Sequence, residues 1–151
     1  MQSKTQLTEA VTQAAVETLA MTTGQNMSIL SAKTYSEEEI KHGVAISVRL
    51  VGDIHGNIRL RFTEDAAKRI ASALMMGMPV DALDEMSMSA LSELGNMVSG
   101  STATHLSATG VSTDITTPNI TTGEITIDTH TVAIPLESDE IRLAIDVSLD
   151  A

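Results

Sequence analysis

Ser89, Glu93, Asn96 and Gly100 are the residues of this sequence whose types and spacing could do chemistry together. They recur at intervals of 4, 3 and 4, which places them on one stripe of a helix. A carboxylate and a carboxamide then stand one turn apart. The Asn96 carboxamide is neutral at every relevant pH, so it can hold a water through its oxygen or its NH2 but cannot serve as a base. The Glu93 carboxylate suits an ion pair with a lysine. Leu91, Leu94 and Val98 fall on roughly the opposite side, where they can face a core. An ordinary solvated face is the alternative reading of the stripe, but such a face would more often carry Glu–Lys pairs. Asn has poor helix propensity, and Gly95 and Gly100 each cost about 1 kcal/mol relative to Ala. Something other than local stability favours this composition.

Other candidates have simpler readings. Gly52-Asp53-Ile54-His55-Gly56-Asn57 is similar to the Gly-Asp-x-His-Gly box of metallophosphoesterases. His42 upstream lacks an Asp-x-His pattern, however, and no Gly-Asn-His box follows. Between two alternating runs, Gly-Asp and Gly-Asn read as a hairpin connection. His42, His55, His105 and His130 show no metal-ligand spacing, so no metal site is expected. The methionines 75, 76, 78, 86 and 88 bracket a turn between two helices. They read first as core and second as an adaptable partner surface. Gly-rich phosphate loops and nucleophile elbows are absent.

The 151 residues suit one domain, residues 1–151. Aromatics are almost missing, with Tyr35 and Phe62 alone, so the core must be built from Ile, Leu, Val, Ala and Met. A formal net charge of −11 argues against nucleic-acid phosphate and anionic membrane surfaces as partners. There are no cysteines, hence no disulfides and no thiolate chemistry. The N-terminus lacks a signal-peptide pattern and no run of 18 apolar residues occurs. A cytoplasmic protein is the expectation.

The elements that must position the stripe follow from periodicity. Leu7, Val11, Ala14, Ala15 and Leu19 predict a helix over 5–22 that stops at Gly24. Strands are expected over 26–35, 44–51 and 58–62. Thr63 can cap a second helix running to about Met76, with Glu64 and Asp65 in its first turn. A long third helix opens near Asp84 and runs to about Ala108. Strands over about 112–118, 125–135 and 141–149 complete the chain. Gly95, Ser99 and Ala103, spaced by four, would let another helix approach the third one closely.

The order helix, three strands, helix, then helix, three strands reads as a duplication. Val44-Ala-Ile matches Val132-Ala-Ile, and Ile58-Arg-Leu matches Ile141-Arg-Leu, at offsets of 88 and 83. At an offset of 84, Ser89, Glu93 and Asn96 fall on Thr5, Glu9 and Thr12. The fold class expected is α+β: an antiparallel sheet with two long helices on one face and an internal pseudo-two-fold.

Ser89-x3-Glu93-x2-Asn96, followed after 21 residues by Pro118, resembles the signature of the CheC/CheX/FliY family of chemotaxis phosphatases. The interval before Pro118 is one residue shorter than is common in that family. The resemblance is strongest to the CheX branch, because only one complete Glu-x-x-Asn helix is present. It implies an α+β fold of pseudo-two-fold character. It also implies hydrolysis of the aspartyl phosphate of a CheY-like response-regulator receiver domain. Asn96 would orient the attacking water and Glu93 would pair with the receiver's active-site lysine, while Ser89 and Gly100 would keep the surface low for close approach. The receiver would supply its own Mg²⁺, so this chain needs no cofactor. A homodimer formed through sheet edges is implied as well. A non-catalytic receiver-binding or flagellar-switch module of the same fold is the alternative.

Overall fold

The computed structural model describes residues 2–30, 42–126 and 130–150. The elements run α1 (Gln2–Thr23), β1 (Ser28–Ile29), β2 (His42–Gly52), β3 (Gly56–Phe62), α2 (Glu64–Leu74), α3 (Glu85–Ala108), β4 (Thr113–Ile115), β5 (Asn119–Glu124), β6 (Val132–Glu137) and β7 (Arg142–Leu149). All strands join one antiparallel sheet in the order β1-β6-β7-β3-β2-β4, with β5 also paired to β2. The fold is α+β, as expected.

Alternation decides which face the helices cover. Val44, Ile46, Val48 and Leu50 of β2, Ile58, Leu60 and Phe62 of β3, and Leu143, Ile145 and Val147 of β7 share one core with the helices. That core takes Leu7, Val11, Ala14, Ala15 and Leu19 from α1 and Leu91, Leu94 and Val98 from α3. Each fully buried Leu, Ile or Val contributes about 1.5–3 kcal/mol, so this stripe holds α3 in place. On the other face, the buried Asp146 carboxylate accepts from Arg61 Nε at 2.6 Å, Arg61 Nη2 at 2.9 Å and Arg59 Nε at 2.8 Å. Breaking such a buried pair costs about 3–5 kcal/mol.

The duplication is visible in the strand order. Exchanging β1 with β4/β5, β2 with β6 and β3 with β7 reproduces the same order read from the opposite edge. The matched triplets fall on these counterparts: Val44-Ala-Ile in β2 and Val132-Ala-Ile in β6, Ile58-Arg-Leu in β3 and Ile141-Arg-Leu at the start of β7.

Three expectations change. The strand read over 125–135 is not one strand: β5 occupies 119–124 and β6 begins at Val132. β5 is an edge strand with one half-buried apolar residue, Ile120, and gives no alternation to read. Residues 112–118 hold only the three-residue β4, because Thr116 and Pro118 break the edge; Thr116 Oγ1 instead accepts from the Arg49 N–H at 3.1 Å. Of the strand read over 26–35, Ser28–Ile29 pairs with β6, and residues 31–35 lie outside the described residues.

The hairpin reading of Gly52–Asn57 agrees with the β2–β3 pairing. Asp53 is engaged locally: its carboxylate accepts from the Ser112 N–H at 2.8 Å, and its own N–H donates to the Ser112 carbonyl at 2.9 Å. Among the described residues no three His, Asp or Glu side chains come together as a metal-binding group.

Candidate active site

α3 begins where the sequence dictates. Asp84 is its N-cap, accepting from the Ser87 N–H at 2.9 Å, while the Ser87 hydroxyl accepts from the Asp84 N–H at 2.8 Å. This reciprocal pair satisfies two backbone donors at the helix end. The bonds from Ser87 hold the Asp84 carboxyl below its ordinary range. Glu85 adds a second negative charge at the positive end of the helix dipole.

From that start, Ser89, Glu93 and Asn96 all reach solvent, and Gly100 is half-buried. The sequence-derived stripe is therefore a real surface feature. Among the described residues neither the Glu93 carboxylate nor the Asn96 carboxamide has a hydrogen-bond or ion-pair partner. Both polar groups remain available to something outside the chain. At Gly100 an added Cβ would meet nothing within 4 Å, so the stripe is open on that side.

Gly95 works inward. A Cβ there would lie 2.7 Å from Ile46 Cγ2 and 3.2 Å from Pro118 Cβ. The close approach that Gly95 permits is thus to β2 and to Pro118, not to another helix as the four-residue spacing suggested. Ser99 is buried and donates to the Gly95 carbonyl at 2.7 Å. The role of Pro118 follows. It stands between β4 and β5, where a missing N–H costs no ladder bond, and its ring seats against α3 one residue before Asn96. The sequence pattern marks Pro118 by its interval from Asn96, and the packing against Gly95 gives that interval a physical role.

α1 packs alongside α3, and His105 Nε2 lies 3.2 Å from Glu17 Oε2 between them. His42, His55 and His130 are exposed. Of the methionines first read as core, only Met75 and Met88 are half-buried, and Met76, Met78 and Met86 are exposed. The turn is too close to the surface to bury all five. Met86 also precedes Ser89 by three residues, so it extends the stripe, a signal present in the sequence but not used.

The profile of the family described as chemotaxis phosphatase CheX matches residues 44–139, from the second residue pair of β2 to the turn after β6 and including the whole stripe. The chain belongs to the chemotaxis phosphatase CheX family. A curated CheX relative from Thermotoga maritima, described as a CheY-P phosphatase, is 38% identical over 90 residues. That match covers 60% of this chain and 58% of the relative, so the chain matches under two thirds of that protein's length. Among solved structures, a chemotaxis protein CheX from Desulfovibrio desulfuricans superposes with a TM-score of 0.81 at 20% identity, over 95% of this chain and 99% of the other. The CheX of a CheX–CheY–BeF3–Mg²⁺ complex from Borrelia burgdorferi superposes with a TM-score of 0.72 at 23% identity, over 95% and 97%. At these identities the CheX structures support the fold. Among the described residues no helix is long and apolar enough to cross a membrane.

Proposed function

We propose that this chain hydrolyses the aspartyl phosphate of a CheY-like receiver domain, with Asn96 and Glu93 as its working side chains. The observation that carries the reading is the unpartnered, exposed pair one turn apart on a helix whose opposite side is locked into the core. Membership of the CheX family and the likeness to a named CheY-P phosphatase support it.

An aspartyl phosphate is an acyl phosphate and hydrolyses without help. Acceleration needs a water held in line with the leaving carboxylate oxygen. Asn96 holds that water. The oxygen of that water attacks phosphorus, the bond to the aspartyl oxygen breaks, and the carboxylate leaves with the bonding pair while a water proton passes to solvent. Glu93 pairs with the receiver's lysine and fixes the register. Mg²⁺ is the receiver's own and this chain brings none. Ser89 and Gly100 keep the ridge low enough to enter the phosphorylated pocket. The protein acts in the cytoplasm, as a homodimer through its sheet edges, which sedimentation equilibrium checks.

The test is the decay of a phosphorylated CheY-type receiver from the same organism with and without this chain. Accelerated release is expected. Receiver binding without acceleration would favour the non-catalytic module, and neither binding nor acceleration would refute both.

A further inference from the structure

We infer that Met76, Met78 and Met86 form the apolar anchor on which the phosphorylated receiver docks, beside the Glu93–Asn96 stripe. This deepens the proposed function and rests on it. The large exposed hydrophobics among the described residues are Met21, Ile29, Met76, Met78, Met86 and Val132. Three of them fall in the connection between α2 and α3 or in the first turn of α3, at 98%, 53% and 59% exposure.

Helix geometry ties Met86 to the stripe, and Met76 and Met78 lie in the connection that leads into the same end of α3. Met86 stands three residues before Ser89 on the same side of α3. At a rise of about 1.5 Å per residue, it lies about 10 Å from Glu93 and about 15 Å from Asn96 along the axis. A specific complex buries about 800 Å² on each partner, a disc of about 16 Å radius. A receiver centred on Glu93 and Asn96 therefore reaches the first turn of α3. Past Gly100, in the other direction, the exposed residues are Thr104, Ser107 and Ala108, which offer no large apolar side chain.

Met76 supplies a second observation. It closes α2 at a φ of 59°, a left-handed conformation that costs a non-glycine residue about 1–2 kcal/mol. Glycine is the usual residue at such a helix end. Yet the Met76 side chain is 98% exposed and buries nothing in its own chain. Methionine is enriched in interface cores and adapts its shape to a partner. Asp81, Asp84 and Glu85 are exposed and lie between Met78 and Met86 in the chain, so the receiver surface that fits this end of α3 is apolar with a basic margin.

The experiment measures binding of this chain to a CheY-type receiver from the same organism, loaded with BeF3⁻ and Mg²⁺, by calorimetry. Release of phosphate from the phosphorylated receiver is followed in parallel. The triple substitution Met76→Gln, Met78→Gln, Met86→Gln should raise Kd about tenfold or more and raise KM by a similar factor, with a smaller change in kcat. Met21→Gln, at another exposed methionine, on α1, should leave both constants as they are. Met86→Gln alone should give a smaller shift in the same direction, and unchanged melting of the triple variant excludes misfolding as the cause. Unchanged Kd in the folded triple variant overturns the inference even if phosphate release is fast. Weakened Kd with no accelerated release by the wild type supports the anchor and refutes the catalytic reading. A wild type that binds no receiver overturns both.

Discussion

α1 and α3 are counterparts across the pseudo-two-fold, yet only one carries a complete pair of polar groups. Glu93 has an exposed counterpart in Glu9. Asn96 has Thr12, whose hydroxyl donates to the Thr8 carbonyl of its own helix at 2.7 Å. Gly95, seated against Ile46 and Pro118, has the fully buried Val11. The ends differ as well. α3 opens on a capping box with Glu85 in its first turn, whereas α1 has no acidic residue in its first turn. One scaffold thus serves two purposes: at these positions α1 fills the core with Val11 and turns the Thr12 hydroxyl back on its own helix, whereas α3 sits close on β2 at Gly95 and leaves the Glu93 and Asn96 side chains unpartnered.

The largest effect should come from erasing the difference at one position. Asn96→Thr copies the α1 residue into α3 and should cut accelerated phosphate release about hundredfold, read as single-turnover decay. Gly95→Val copies the next α1 residue and places a Cβ 2.7 Å from Ile46 Cγ2. Overpacking of this kind costs about 1–3 kcal/mol, measurable by urea denaturation, and lifting α3 off β2 should slow release too. Glu93→Ala should weaken productive docking about tenfold, seen in KM, whereas Glu9→Ala should change neither constant. Equal losses from both glutamates would mean that α1 also faces the receiver.

The smallest effect concerns the helix start. Hydrogen bonds from Ser87 lower the Asp84 carboxyl from its ordinary value. Its folded value lies below its unfolded one, so its contribution to stability is present above the ordinary Asp range and is lost as pH falls through the folded value. The wild type should therefore lose melting temperature more steeply below about pH 4 than Asp84→Asn, which keeps an acceptor but does not titrate there. Because Asp84 is exposed, added salt should shrink the difference.

Much of this was legible in the chain. Asp84, Thr63 and Gly24 announced helix ends through chemistry that depends on a few neighbouring residues, and the structure uses each of them so. The 4-3-4 spacing fixed the stripe, because helical geometry alone decides which residues share a side. β5 was not legible, since an edge strand facing water has no burial pattern to leave in its sequence. Gly95 showed that something must come close but not what, because the identity of the neighbour depends on tertiary packing. The surface methionines were misread for a related reason: hydropathy says that Met can be buried, and only the depth of the turn decides whether it is. The availability of Glu93 and Asn96 is likewise a property of packing.

The most direct measurement is single-turnover phosphate release from a saturating phosphorylated receiver, wild type against Asn96→Ala, with binding to the BeF3⁻-loaded receiver measured on the same samples. The account predicts that Asn96→Ala still binds but that release falls to the receiver's intrinsic rate. Retained acceleration by a folded, receiver-bound Asn96→Ala would contradict it.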